Sequence, residues 1–145
     1  MARVSTYLNF IRSTETALLL YKSVFGGEFN GPVRRFADVP AAPNQPPMAE
    51  ADQTLAKHVE RAVLADHMLM GTGASGSMGL KVTRGDTTHR NLEPDSRADT
   101  DQPIAALAAG GQIDMPLQDM FWGGYFGSLT DEFGVRQMVN CAGKG

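Results

Sequence analysis

"SVFGGEF", residues 23–29, and "LAAGGQI", residues 107–113, are two versions of one event. In each, an apolar, helix-like run meets a Gly-Gly pair and restarts as a strand-like segment. A glycine past the last helical turn takes a positive φ without steric penalty, so Gly-Gly reads as a helix stop. Working outward from both sites gives the same order of elements. An internal duplication is therefore the main organisational feature of the chain.

Before the first Gly-Gly, Ala17, Leu18, Leu20, Tyr21, Val24 and Phe25 fall at helical spacing. Ser13 or Thr14 offers an N-cap, and Glu15 places a carboxylate in the first turn, where the helix dipole favours it. Upstream, Val4, Thr6, Leu8 and Phe10 alternate with Ser5, Tyr7 and Asn9, the period of a half-buried strand. Downstream, a strand is expected over about 28–36, then a long loop over 37–53. Its "VPAAPNQPP" holds four prolines within eight residues, which forbids a central strand or helix there. A loop of this length reads as a lid, a subunit contact or a plain mobile connection. A hairpin over 58–65 and 67–71 follows, turning near Ala65-Asp66. "GTGASGSMG", residues 71–79, reads as a flexible joint, since it lacks the Lys-Ser/Thr and the strand–loop–helix setting of a phosphate loop.

The second half repeats the order. Residues 80–93 are extended, with a turn at Arg84-Gly85-Asp86. "DTDQPIAALAAGG", residues 99–111, is a helix with Thr100 as cap and Pro103 in its first turn. Strands follow at about 112–116, 124–129 and 135–141, with a tight turn over 130–134. The predicted fold is α+β: two tandem βαβββ modules, about 1–73 and 78–145, within one domain spanning 1–145. Neither module encloses a core alone, so their sheets are expected to pair as one cupped mixed sheet with helices outside.

The totals narrow the function. A net charge of −3 leaves no electrostatic footprint for nucleic acid or an anionic membrane. The longest helix-like apolar run, Ala17–Leu20, is too short for a bilayer. The N-terminus lacks the apolar stretch of a signal peptide. Cys141 is the only cysteine, which excludes an intrachain disulfide; it reads as a small buried apolar residue, and the chain as cytoplasmic.

"TYLNF" (6–10), "YKSVFGGEF" (21–29), "MPLQDMFWGGYFG" (115–127) and "TDEFGVRQMVN" (130–140) together resemble the PhnB-like branch of the vicinal-oxygen-chelate superfamily. That superfamily includes glyoxalase I, extradiol dioxygenases and bleomycin-resistance proteins. The resemblance runs from Thr6 to Asn140 and implies a cupped sheet holding a ligand, often with a metal, and a homodimer. Its enzymes usually take a His, Glu or Gln from the first strand of each unit and a Glu from the last strand. Here the first strand offers Ser5, Tyr7 and Asn9, none a common ligand for a divalent transition metal. The resemblance puts Met138 where the last-strand Glu is usual, and a thioether does not replace a hard carboxylate. In the second unit, His89, Asn91 and Glu93 share a face, with His89 the best ligand.

Two readings of function follow. In the first, the cup binds a small, partly apolar molecule with no complete metal site and no cofactor. Tyr7, Asn9, His89, Asn91 and Arg136 supply its polar groups. Met70 and Met138, with Met115 and Met120, line an adaptable apolar cavity. Trp122 and Phe126, from the ring-and-glycine run Phe121–Gly127, form a wall, a core or a dimer contact. In the second, a divalent transition metal held by His89 with His58 and Glu60, or with Glu93, serves a lyase, isomerase or dioxygenase as a Lewis acid. A methyltransferase of the doubly wound type is disfavoured, because no strand leads into a glycine-rich nucleotide loop.

Overall fold

A computed structural model describes residues 2–40, 42–62, 67–74, 76 and 79–142. It divides into two compact units, Met1–Thr83 and Arg84–Gly145. The first unit runs β1 (Thr6–Ile11), α1 (Thr14–Phe25), β2 (Arg34–Arg35), a 3-10 turn (Phe36–Asp38), the short α2 (Glu50–Gln53), β3 (Ala56–Ala62) and β4 (Met68–Ala74). Its sheet has the order β1-β4-β3-β2, with β1 and β4 parallel and the other pairs antiparallel. The second unit runs β5 (Arg90–Leu92), α3 (Ala98–Ala108), β6 (Gln112–Asp119), β7 (Tyr125–Thr130) and β8 (Arg136–Cys141). Its order is β5-β8-β7-β6, again with only the outer strand pair β5/β8 parallel. Each unit is thus a βαβββ module with a mixed sheet and a helix outside it. The duplication read around the two Gly-Gly pairs is real.

The helix stops work as the sequence implies. Gly26 and Gly27 sit at φ +68° and +79°, and Gly110 at +79°. In the first unit, α1 buries Ala17, Leu18 and Tyr21 completely against one sheet face. In the second, α3 buries Ile104 and Leu107, and β7 and β8 bring Leu129, Val139 and Cys141 to the same side. Each sheet keeps one face covered by its helix and one face free of it.

Several boundaries differ from the sequence reading. The joint expected at 71–79 begins as strand, because β4 continues through Gly71, Thr72, Gly73 and Ala74 and pairs with Leu8–Ile11 of β1. The two glycines are there for contact. A Cβ on Gly71 would meet Thr14 Cγ2 at 2.9 Å, and one on Gly73 the Ala56 carbonyl oxygen at 3.1 Å. The strand expected over 28–36 shrinks to Arg34–Arg35, since Gly31 at φ +128° and Pro32 interrupt the run. Of residues 80–93, only Arg90–Leu92 pair as a strand. The β3/β4 hairpin forms, and its expected turn at Ala65-Asp66 lies outside the described residues.

The second helix starts earlier than expected. Ser96, not Thr100, caps it: the Asp99 amide donates to Ser96 Oγ at 3.1 Å, and Ser96 Oγ donates to Asp99 Oδ2 at 2.6 Å. Thr100 lies inside the helix, buried, and its hydroxyl donates to the Ser96 carbonyl. Pro103 consequently falls beyond the first turn and removes an interior backbone donor. Strand β6 extends to Asp119 and tolerates Pro116 because it is an edge strand with irregular register around Met115. The turn over 130–134 is tied by Asp131. Its Oδ1 accepts from the Phe133 and Val135 amides, both at 3.0 Å, and its Oδ2 from Gln137 Nε2 at 2.8 Å.

Candidate functional site

The helix-free face of each sheet carries several of the residues singled out from sequence. In the first unit, strand alternation sends Tyr7 and Asn9 away from α1, and parallel pairing sets Tyr7 beside Met70 and Asn9 beside Thr72. Antiparallel pairing sets Glu60 on the other flank of Met70. His58, two residues before Glu60, shares that face. Its Nε2 lies 3.6 Å from Glu60 Oε2, and its ring centroid lies 6.1 Å from that of Tyr7. Tyr7, His58, Glu60 and Met70 therefore form one cluster. Thr72 turns its hydroxyl back to the Lys57 carbonyl oxygen at 2.5 Å.

In the second unit, Met138 sits at the centre of its face, paired with Asn91 on β5 and Ser128 on β7. Beyond Ser128 lies Met115 on the edge strand. One step along β8, Asn140 pairs with Phe126. One step the other way, Arg136 pairs with Thr130, and Asp114 tempers its charge: Thr130 Oγ1 donates to Asp114 Oδ2 at 2.8 Å, with Arg136 Nη1 at 3.9 Å. Asn91 Nδ2 donates to Glu93 Oε1 at 3.0 Å. His89 is half-buried and stands one residue before β5, outside the strand that was expected to carry it.

The rings around the glycines separate by face. Tyr125 lies on the α3 side, where its hydroxyl donates to Asp101 Oδ1 at 2.9 Å and the Arg97 guanidinium stacks 4.6 Å from its ring centre. The hydrogen bond to Asp101, with burial, raises the Tyr125 pKa above its ordinary value. Phe126 lies on the helix-free face, and Trp122 packs edge-on against it at 5.8 Å. Phe121 packs edge-on against Trp122 at 4.9 Å and is 96% exposed. Trp122 is half exposed, so within the chain it belongs to no core.

What this face does chemically follows from its groups. Asn91, Asn140 and Ser128 each donate and accept hydrogen bonds without charge. Met138, Met115, Phe126 and Trp122 offer polarizable apolar contact. The donors poorly fit a resident transition metal, because a thioether and two amides occupy the centre of the face. Among the described residues, no three His, Cys, Asp or Glu side chains come together to hold an ion. His58 and Glu60 lie in the first unit and His89 in the second. Asn140, Ser128 and Thr72 were missed from sequence. The period-two alternation from Met138 to Asn140 already carried the signal for the first.

The chain matches no family model. Protein YjdN of Escherichia coli is 25% identical over 94% of this chain and 93% of its own length. Protein PA1353 of Pseudomonas aeruginosa superposes with a TM-score of 0.83 at 28% identity, covering 97% of this chain and 98% of that one. A PhnB protein from Bacillus cereus gives 0.76 at 21% identity, over 97% and 100%. A glyoxylase/bleomycin resistance protein/dioxygenase domain from Frankia gives 0.64 at 14% identity, over 100% and 95%. The chain shares the fold of these solved structures. One fold hosts many chemistries, so the site residues, not the fold, decide between them. Among the described residues, no helix is long and apolar enough to cross a membrane.

Proposed function

We propose that this is a PhnB-like protein of the superfamily that binds a small, partly apolar molecule on its helix-free sheet faces, without a tightly held transition metal. The observation that carries the reading is Met138, flanked in register by Asn91 and Ser128. A central thioether between neutral hydrogen-bonding groups suits a ligand with an apolar body and one or two polar atoms. On the second unit Trp122, Phe126, Arg136 and His89 join Met138, Asn91 and Ser128 as proposed contacts, and on the first unit Tyr7, Asn9 and Met70 are the proposed contacts of its own helix-free face. The protein works as a cytoplasmic homodimer in this reading. Exposed Phe121 and Trp122 supply apolar surface of the kind that a partner subunit or a ligand covers.

The second reading, a metal-dependent lyase, isomerase or dioxygenase, draws its support from the His58–Glu60 contact. Metal analysis decides between the two. Protein purified without chelator, then incubated with zinc, nickel, manganese or iron(II), is expected to retain far less than one ion per chain. Retention of one ion per chain overturns the proposal, and its loss in His58→Ala or His89→Ala favours the metal-dependent reading.

A further inference from the structure

The Pro-rich loop builds a cleft of its own. Phe36, Val39, Pro40, Pro46, Pro47 and Met48 wall a cavity of about 560 Å³, closed on the β3 side by Lys57. This volume lies within the range of small-molecule sites. Lys57 stands where the register between β2 and β3 shifts, and the residues that line the cleft include none of Tyr7, Asn9, His58, Glu60 and Met70. The cleft is therefore distinct from the site proposed above.

Its walls are held from several directions. The Arg35 guanidinium grips Glu15 with two hydrogen bonds, at 2.9 and 3.1 Å, and the Thr54 carbonyl oxygen at 2.7 Å. The Phe36 amide donates to the Leu55 carbonyl oxygen at 3.1 Å, tying the wall to the approach to β3. Gln45 closes a local turn, accepting from the Ala42 amide through Oε1 and donating its own amide to the Ala42 carbonyl oxygen, both at 3.1 Å. The prolines fix φ before any ligand arrives, which lowers the entropy lost on binding.

The charge balance selects the ligand. Among the described residues that line the cleft, Lys57 is the only charged one and none is a carboxylate. Among the described residues, the Lys57 ammonium enters no hydrogen bond or ion pair. We infer that this cleft is a second small-molecule site, taking an apolar carboxylic acid whose hydrocarbon body packs on the proline, Phe36 and Met48 walls and whose carboxylate meets Lys57.

Decanoate and decyltrimethylammonium, equal in chain length and opposite in charge, test this on the full chain by ¹⁵N amide shifts. Decanoate is expected to shift the amides of Val39, Gln45, Met48 and Lys57, with an affinity about tenfold weaker in Lys57→Met and retained in Lys57→Arg. The cation is expected to leave those amides unmoved. Decanoate shifts that are equal in wild type and Lys57→Met overturn the inference. So does their absence, or their appearance only at Asn91, Phe126 and Asn140. That last pattern leaves the helix-free-face proposal standing while removing this one.

Discussion

Trp122 folds back over Gly124 and donates its indole N–H to Asn140 Oδ1 at 3.4 Å. A Cβ on Gly124 would lie 2.5 Å from Trp122 Nε1 and 2.6 Å from Asn140 Oδ1, so only glycine admits this arrangement. Gly124→Ala is expected to expel the indole from Asn140 while leaving the fold intact, because Trp122 is already half exposed. Trp122 is the only tryptophan, so its fluorescence reports the change alone. A red-shifted emission with stronger acrylamide quenching is the predicted outcome. An unchanged spectrum shows that the ring does not depend on Gly124.

Gly71 of β4 lies directly against α1. Adding a methyl there drives it into Thr14 Cγ2 at 2.9 Å and Leu18 Cδ2 at 3.4 Å. Overpacking costs roughly 1–3 kcal/mol, against a gain of about 0.4–1 kcal/mol from a less flexible unfolded chain. Gly71→Ala is thus expected to be destabilising in urea unfolding. Thr14→Ser removes the clashing methyl, so it is expected to be mildly destabilising alone and to restore stability in the Gly71→Ala background. Simple additivity of the two changes would contradict the packing explanation.

The Tyr125 phenol is hydrogen-bonded to Asp101, and that bond raises its pKa above the ordinary 10.0. The neutral phenol is the form favoured by folding. Its contribution to stability is therefore fully present below the unfolded pKa and is lost as pH rises through the higher folded value. A titration of the Tyr125 ring carbon by NMR is expected to show ionisation above pH 10 and a return toward 10 in Asp101→Ala. Identical titrations in both proteins would mean that Asp101 does not hold the phenol.

Much of the fold was legible because it is written locally. Gly26-Gly27 and Gly110-Gly111 punctuate the helices, and the alternation of Tyr7 and Asn9 with Leu8 and Phe10 fixes which face of β1 is free of α1. Gly71 and Gly73 misled for the opposite reason. Glycines that clear space for a distant helix look, in one dimension, like glycines of a linker. Ser96 lost to Thr100 as the expected cap because both hydroxyls precede the same apolar run; only the observed bond to the Asp99 amide separates them. The division of Tyr125 and Phe126 between faces followed from alternation, whereas the partners of those rings, Asp101 and Trp122, depend on packing between elements.

Ligand mapping on the second unit tests the central claim most directly. Amphipathic alcohols, amides and aromatic acids would be titrated into ¹⁵N-labelled protein, following the Trp122 indole N–H and the amides of Asn91, Phe126, Met138 and Asn140. The account predicts saturable shifts at these positions that persist in chelator and weaken in Trp122→Ala and Met138→Lys. Shifts that appear only after a transition metal is added, or that spare Met138 and its neighbours Asn91 and Ser128 throughout, would contradict it.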